Sequence, residues 1–263
     1  MKEIRLCDDC QGEFTRDYCV KYGLGIEVQS FYDPYSNNQQ DLQRGYQAIL
    51  QTIPGGRSLH APFWDLNLGS KMQGIKQETM NIFNAAYNTA KELGCTELIV
   101  HNGYIPGTSP YFRWVERAVA FWKEFFADKD SSITVCIENQ FEIDSEILQM
   151  EIDAVNDPRL KVCLDTGHAH ACSDMPVEEW ISTLGDRIAY LHLHNNHGKQ
   201  HKKGYNDDEH LGLDNGTLDM TTVLKILEHY SPQAIWAIEC SPKYFDESLT
   251  YLKTIAFLPD KCA

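Results

Sequence analysis

Four stretches decide how this chain reads: Val135-Cys-Ile-Glu138, Val162-Cys-Leu-Asp165-Thr-Gly-His168, Tyr190-Leu-His192-Leu-His194 and Trp236-Ala-Ile-Glu239. In each, a short apolar run of the kind that forms a strand buried on both faces stops at a carboxylate or an imidazole. Arg57-Ser-Leu-His60 and Leu98-Ile-Val-His101 repeat the pattern upstream, so six consecutive predicted strands end in a residue that can hold a metal. In a closed parallel barrel the carboxyl ends of the strands converge on one face, and residues as distant as Glu138 and Glu239 can then share an ion.

Outward from these stretches, strand and helix alternate along the whole chain. Strands are predicted at about 3–7, 24–29, 57–61, 97–101, 133–138, 160–165, 188–194 and 234–239. Helices are predicted around Arg16 to Tyr22 and at about 38–51, 75–93, 111–127, 144–154, 176–184, 219–230 and 243–256. Ile82, Phe83, Ala86, Ala90 and Leu93 share one helical face, and Gly94 stops that helix as a left-handed cap residue. Val115, Ala118, Val119, Trp122 and Phe126 form a second stripe.

Eight such pairs with short connections require a parallel sheet, and their number favours a closed barrel over an open doubly wound sheet. No Gly-x-Gly-x-x-Gly turn follows a strand, which weakens the open-sheet alternative. The expectation is an α/β protein, a (β/α)8 TIM barrel with a single domain over residues 1–263.

The chain has 263 residues and a formal net charge of -15. That balance disfavours a large nucleic-acid footprint, because such binding neutralises phosphates with Lys and Arg. Gly198-Lys-Gln-His-Lys-Lys-Gly204 is the one concentrated basic loop, and Lys199 within it is a candidate substrate contact; a solvated loop is the plainer reading. No apolar run approaches the roughly 20 residues of a membrane span, and the first residues carry no signal-peptide core, so a cytoplasmic location is expected. Nine cysteines are present; Cys136, Cys163 and Cys240 lie inside strand-like runs and read as small buried hydrophobes. Cys7 and Cys10 form a Cys-x-x-Cys with no second pair at zinc-finger spacing, and packing explains them better than redox or zinc chemistry.

A divalent ion in a catalytic barrel needs carboxylate and imidazole ligands and an open coordination position. Glu138, Asp165, His194 and Glu239, on the fifth to eighth strands, supply such a set. Singly, each has a plain explanation as a buried ion pair or a satisfied core histidine; six of them at the same structural position do not. His192 and His194 point the same way from their strand. His194 is favoured because it lies nearer the carboxyl end. His60, His101, His168, Asp208 and His210 exceed the needs of one ion, and serve either further ions or the orientation of ligands and substrate. The long segment Asn195 to Leu218 carries Asp208-Glu-His210 and reads as an active-site loop.

Taken together, His60-Ala-Pro-Phe-Trp-Asp-Leu-Asn-Leu-Gly, His101-Asn-Gly, Ile-Glu138-Asn, Leu-Asp165-Thr-Gly-His168, His192-Leu-His194, Asp208-Glu-His210 and Glu239 resemble the xylose isomerase-like barrel superfamily over nearly the whole chain. That superfamily includes sugar isomerases and epimerases and also the endonuclease IV family. The resemblance implies that Glu138, Asp165, His194 and Glu239 hold the metal shared by the epimerase branch, zinc or manganese. It also implies that His60, His101, His168, Asp208 and His210 match the remaining ligands of the three-zinc endonuclease branch.

Two functions follow as expectations. The first is a metal-dependent sugar isomerase or epimerase, in which Glu138 and Glu239 are by resemblance the base and acid for proton transfer next to a carbonyl. The second is a zinc-dependent phosphodiesterase acting on abasic DNA. Phe63 and Trp64 serve either, as an apolar wall against a sugar ring or as wedges in DNA. The acidic composition favours a small sugar-like substrate, and self-association into a homo-oligomer stays open.

Overall fold

The computed structural model describes residues 2–199 and 208–258. Its first half runs β1 (Ile4–Cys7), α1 (Gly12–Tyr22), β2 (Gly25–Val28), α2 (Gln39–Leu50), β3 (Arg57–His60), α3 (Gln73–Glu92), β4 (Glu97–His101) and α4 (Tyr111–Phe125). Its second half runs β5 (Thr134–Glu138), α5 (Glu146–Val155), β6 (Leu160–Asp165), α6 (Thr166–Cys172), α7 (Val177–Leu184), β7 (Ile188–Leu193), α8 (Met220–Tyr230), β8 (Ile235–Ile238) and α9 (Phe245–Thr254). All strands are parallel, each pairs with its sequence neighbours, and β8 closes on β1. This is the single-domain (β/α)8 barrel that the alternation predicts. None of the described helices is long and apolar enough to cross a membrane.

The helices lie where their stripes place them. Phe83, Ala86 and Ala90 of α3 and Trp122, Ala118 and Phe121 of α4 are buried, each large side chain contributing roughly 1.5–3 kcal/mol. Gly94 follows α3 at φ +70°, the left-handed turn expected of it. One element was not foreseen: α6 begins directly after β6. The Asp165 carboxylate accepts the backbone N–H of His168 at 2.6 Å and starts the helix. Thr-Gly-His-Ala-His carries no apolar stripe, so periodicity could not reveal it.

Strand side chains alternate between two shells. Leu6, Ile26, Val100, Ile137, Leu164 and Ile238 face the helices and join the large core. Cys7, Ile99, Cys136, Cys163, Tyr190 and Ala237 face the axis and form a separate interior layer. Beneath that layer Arg5, fully buried, is paired with Glu3 and Glu97 and lies 5.6 Å from the Tyr190 ring. Tyr190 also shares a 2.6 Å hydrogen bond with Ser58, so the amino-terminal end of the barrel is sealed by polar pairs.

Candidate metal centre

Two residues beyond the interior layer, on the same face of each strand, stand His101, Glu138, Asp165, His192 and Glu239. The pleat that fills the barrel with apolar groups therefore ends every one of these strands with a metal donor. His60 from β3 and Glu27 from β2 complete this ring, both buried.

The donors gather into overlapping groups whose ligand atoms lie within 4.8 Å of one another. Glu138, Asp165, His192 and Glu239 form one; His60 and His101 join Glu138 in a second; His168, His194, Asp208 and His210 form a third. The structure thus brings His192, not the favoured His194, to the three carboxylates: its Nδ1 lies 3.3 Å from Glu138 and 3.0 Å from Glu239. The reason is layer height. His192 is two residues above Tyr190 within β7, whereas His194 lies past the strand end. There its ring stacks on His210 at 4.1 Å, with Nε2 3.1 Å from Asp165.

Backbone contacts fix the imidazoles. His60, His168 and His210 each donate Nδ1–H to a carbonyl, of Ala61 (2.7 Å), Asn139 (2.9 Å) and Glu239 (2.8 Å). Each then turns Nε2 to a carboxylate: His60 to Glu138 (3.1 Å), His168 to Asp208 (3.2 Å) and His210 to Asp208 (2.9 Å). A neutral ring so committed presents a lone pair to an anion, and two acceptors at that distance need a proton or a cation between them. His192 is held in the opposite sense, with Nε2 3.0 Å from both oxygens of Glu27. Its Nδ1, with Glu239 Oε2, His101 Nδ1 and His194 Nδ1, is buried without a hydrogen bond. His192 Nδ1 and Glu239 Oε2, 3.0 Å apart among the carboxylates, fit one or more divalent ions.

Electrostatics agree. Burial opposes charge on every group, yet the neighbours prevail: His192, His101 and His168 hold Glu138 well below the usual carboxylate range. Asp165 and Asp208 are likewise depressed by facing imidazoles. Against the same burial, facing groups raise His60, His168 and His192, and hydrogen bonding to Asp208 lifts His210 to about 10. Without an ion, protons on imidazoles take over part of its role.

The centre floors a cleft of about 700 Å³ walled by Tyr32, Phe63, Trp64 and Phe141, and no Lys or Arg occurs among its described lining residues. Phe63 packs on His60 and His101 at 5.5 and 5.1 Å, while Trp64 is 70% exposed at the mouth. Lys199 does not line this cleft; it pairs with Asp174 at 2.6 Å on the surface. Lys202 and Lys203 lie outside the described residues.

Sequence reasoning missed Glu27 and Gln29. Glu27 had a signal, a carboxylate inside the apolar strand Gly25-Ile-Glu-Val. Gln29 donates Nε2–H to Glu239 at 2.7 Å and had none.

A family profile described as xylose isomerase-like TIM barrel matches residues 18–259. A probable endonuclease 4 of Thermoplasma acidophilum is 27% identical over 61% of this chain and 58% of its own length. The chain spans about three fifths of the length of the probable endonucleases 4 it matches. Among solved structures, the TTHB071 protein of Thermus thermophilus, soaked with ZnCl2, superimposes with a TM-score of 0.77 at 24% identity, covering 97% of this chain and 98% of that one. A D-tagatose 3-epimerase-like protein gives 0.76 at 19% identity, covering 97% of each. With its closed barrel, and with the profile matching nearly end to end, the chain belongs to the xylose isomerase-like TIM barrel family.

Proposed function

We propose that the protein is a divalent-metal-dependent isomerase or epimerase that moves a proton at the carbon next to the carbonyl of a small sugar or sugar derivative. One observation carries this reading. Glu138 and Glu239 converge on His192 at 3.3 and 3.0 Å, at the base of an aromatic-walled cleft whose described lining contains no Lys or Arg. Such a cleft suits a neutral substrate better than a polyanion. A divalent ion held by Glu138, Asp165, His192 and Glu239 would supply positive charge beside the substrate's carbonyl and hydroxyl oxygens. One carboxylate removes the proton and the other returns one from the opposite side of the carbon. Gln29 fixes Glu239, His60 and His101 fix Glu138, and Phe63 and Trp64 present a flat apolar wall to the sugar ring.

The test is a sugar panel in deuterated water with manganese, cobalt, magnesium or zinc. Solvent deuterium should enter one carbon of the substrate. Glu138→Gln should lose that exchange and keep its metal, because an amide oxygen coordinates but accepts no proton.

The three donor groups favour a second reading, hydrolysis of a phosphodiester such as abasic DNA. Five carboxylates and six imidazoles surround the centre. One divalent ion leaves this nest negative, whereas three outweigh the carboxylates and attract an anion. Similarity to a zinc-soaked protein and to probable endonucleases 4 is consistent with it. Metal content separates the readings: one ion per chain supports the isomerase. Three zinc ions per chain, with cleavage at abasic sites and no sugar exchange, replace it with the hydrolase.

A further inference from the structure

We propose a second, deeper ion position on the β1–β2 side of the centre, formed by Cys7, Glu27, His192 and Glu239 and selective for a thiophilic divalent ion such as zinc or cobalt. It stands independently of which reaction the cleft supports.

The donor atoms of these four residues lie within 4.8 Å of one another, and Cys7, Glu27 and His192 are buried. The group differs from the cleft set in two members, and the differences are chemical. A sulfur and the Glu27 carboxylate replace the oxygen donors of Glu138 and Asp165, and sulfur selects borderline and soft ions over magnesium or manganese. Two further observations point to an occupant. Cys7 is 1% exposed, and the neighbouring Glu239 Oε2 is buried without a hydrogen bond. A separate cavity of about 240 Å³, lined by Cys7, Asp9, Gln29, His210, Glu239 and Ser241 among others, gives access to both.

Binding is a proton exchange. The ion takes the sulfur lone pair and the His192 Nε2 lone pair, and both the Cys7 S–H proton and the proton between His192 Nε2 and Glu27 leave to solvent. Burial keeps the thiol protonated until then. The two sets share His192 and Glu239, so the consequence is ion sorting: oxygen-seeking ions settle in the cleft set and thiophilic ions in the lower one.

Cobalt reports the sulfur directly. Apo protein titrated with Co2+ should develop a near-ultraviolet thiolate-to-cobalt charge-transfer band in the wild type. Cys7→Ser should lose it, and Cys163→Ser and Cys10→Ser should keep it. A band that survives in Cys7→Ser, or disappears in Cys163→Ser instead, overturns the assignment. So does cobalt binding with only ligand-field bands. If Cys7→Ser does not fold, X-ray absorption of the zinc-loaded wild type decides. A sulfur at about 2.3 Å supports the site, and a shell of nitrogen and oxygen alone rejects it.

Discussion

Glu138 at the mouth of the barrel and Glu151 in the helix layer are both withdrawn from water, at 1% and 0% exposure, and they end in opposite states. Around Glu138, imidazoles on three neighbouring elements overcome the desolvation cost, and the carboxylate stays charged. Glu151, on α5, meets a single indole: Trp122 Nε1–H donates to it at 2.6 Å, and its second oxygen is buried without a hydrogen bond. Burial there pushes its pKa up to about 8. Burial alone does not make a functional carboxylate. A converging set of basic partners does, and the carboxyl ends of the strands assemble one.

The strongest way to break this contrast is at the centre. Asp165→Ala removes a proposed metal ligand that also caps α6, and it should cost well over about 100-fold in metal affinity, more than the loss of a residue that only orients a ligand. Metal analysis after dialysis measures it; unchanged content removes Asp165 from the ligand set.

Glu151 sharpens the other side. Its folded pKa lies above the ordinary value of 4.5, so the folded state binds the proton more tightly than the unfolded chain. Stability from this group is therefore full below about pH 4.5, falls as pH rises toward about 8, and levels off beyond. Glu151→Gln should match the wild type near pH 5 and exceed it at pH 8.5 by on the order of a few kcal/mol in urea unfolding. Parallel pH profiles for the two proteins would contradict the raised pKa.

Packing around the donors is the next lever. A Cβ at Gly167 would lie 2.0 Å from His194 Cε1, so Gly167→Ala must move the ring or α6. A loss of roughly 1–3 kcal/mol is expected, together with weaker metal binding. Calorimetry with and without added zinc checks both, and an unshifted melting point would show that the ring moves freely.

The smallest effect belongs to the surface. The Lys199–Asp174 pair is solvent-facing, so Lys199→Ala should change stability by less than about 1 kcal/mol and leave substrate affinity unaltered. A large rise in KM would instead place Lys199 on the substrate.

The barrel was legible because apolar runs and amphipathic stripes are repeated signals, each confirming the next. The centre was legible wherever a donor interrupts the end of an apolar run, as Glu138, Asp165 and Glu239 do. That His192 rather than His194 sits beside Glu138 and Glu239 depends on a different quantity, height along the barrel axis. Counting from Tyr190 would have supplied it. Glu27 lay hidden inside a strand, and α6 hid because its start is set by the Asp165 side chain. Gln29 is a contact made across 210 residues, which no local pattern records.

At the mouth of the barrel, one small backbone device governs where Asp208 and His210 stand. Asn195 and Leu211 exchange backbone hydrogen bonds at 3.1 and 2.9 Å, and the Asn195 amide also donates to Leu213 and Leu218. This clasp holds both roots of the segment that delivers Asp208 and His210. Asp208 and His210 are therefore set from the Leu211 side by backbone pairing to the end of β7, so their position follows the barrel wall itself.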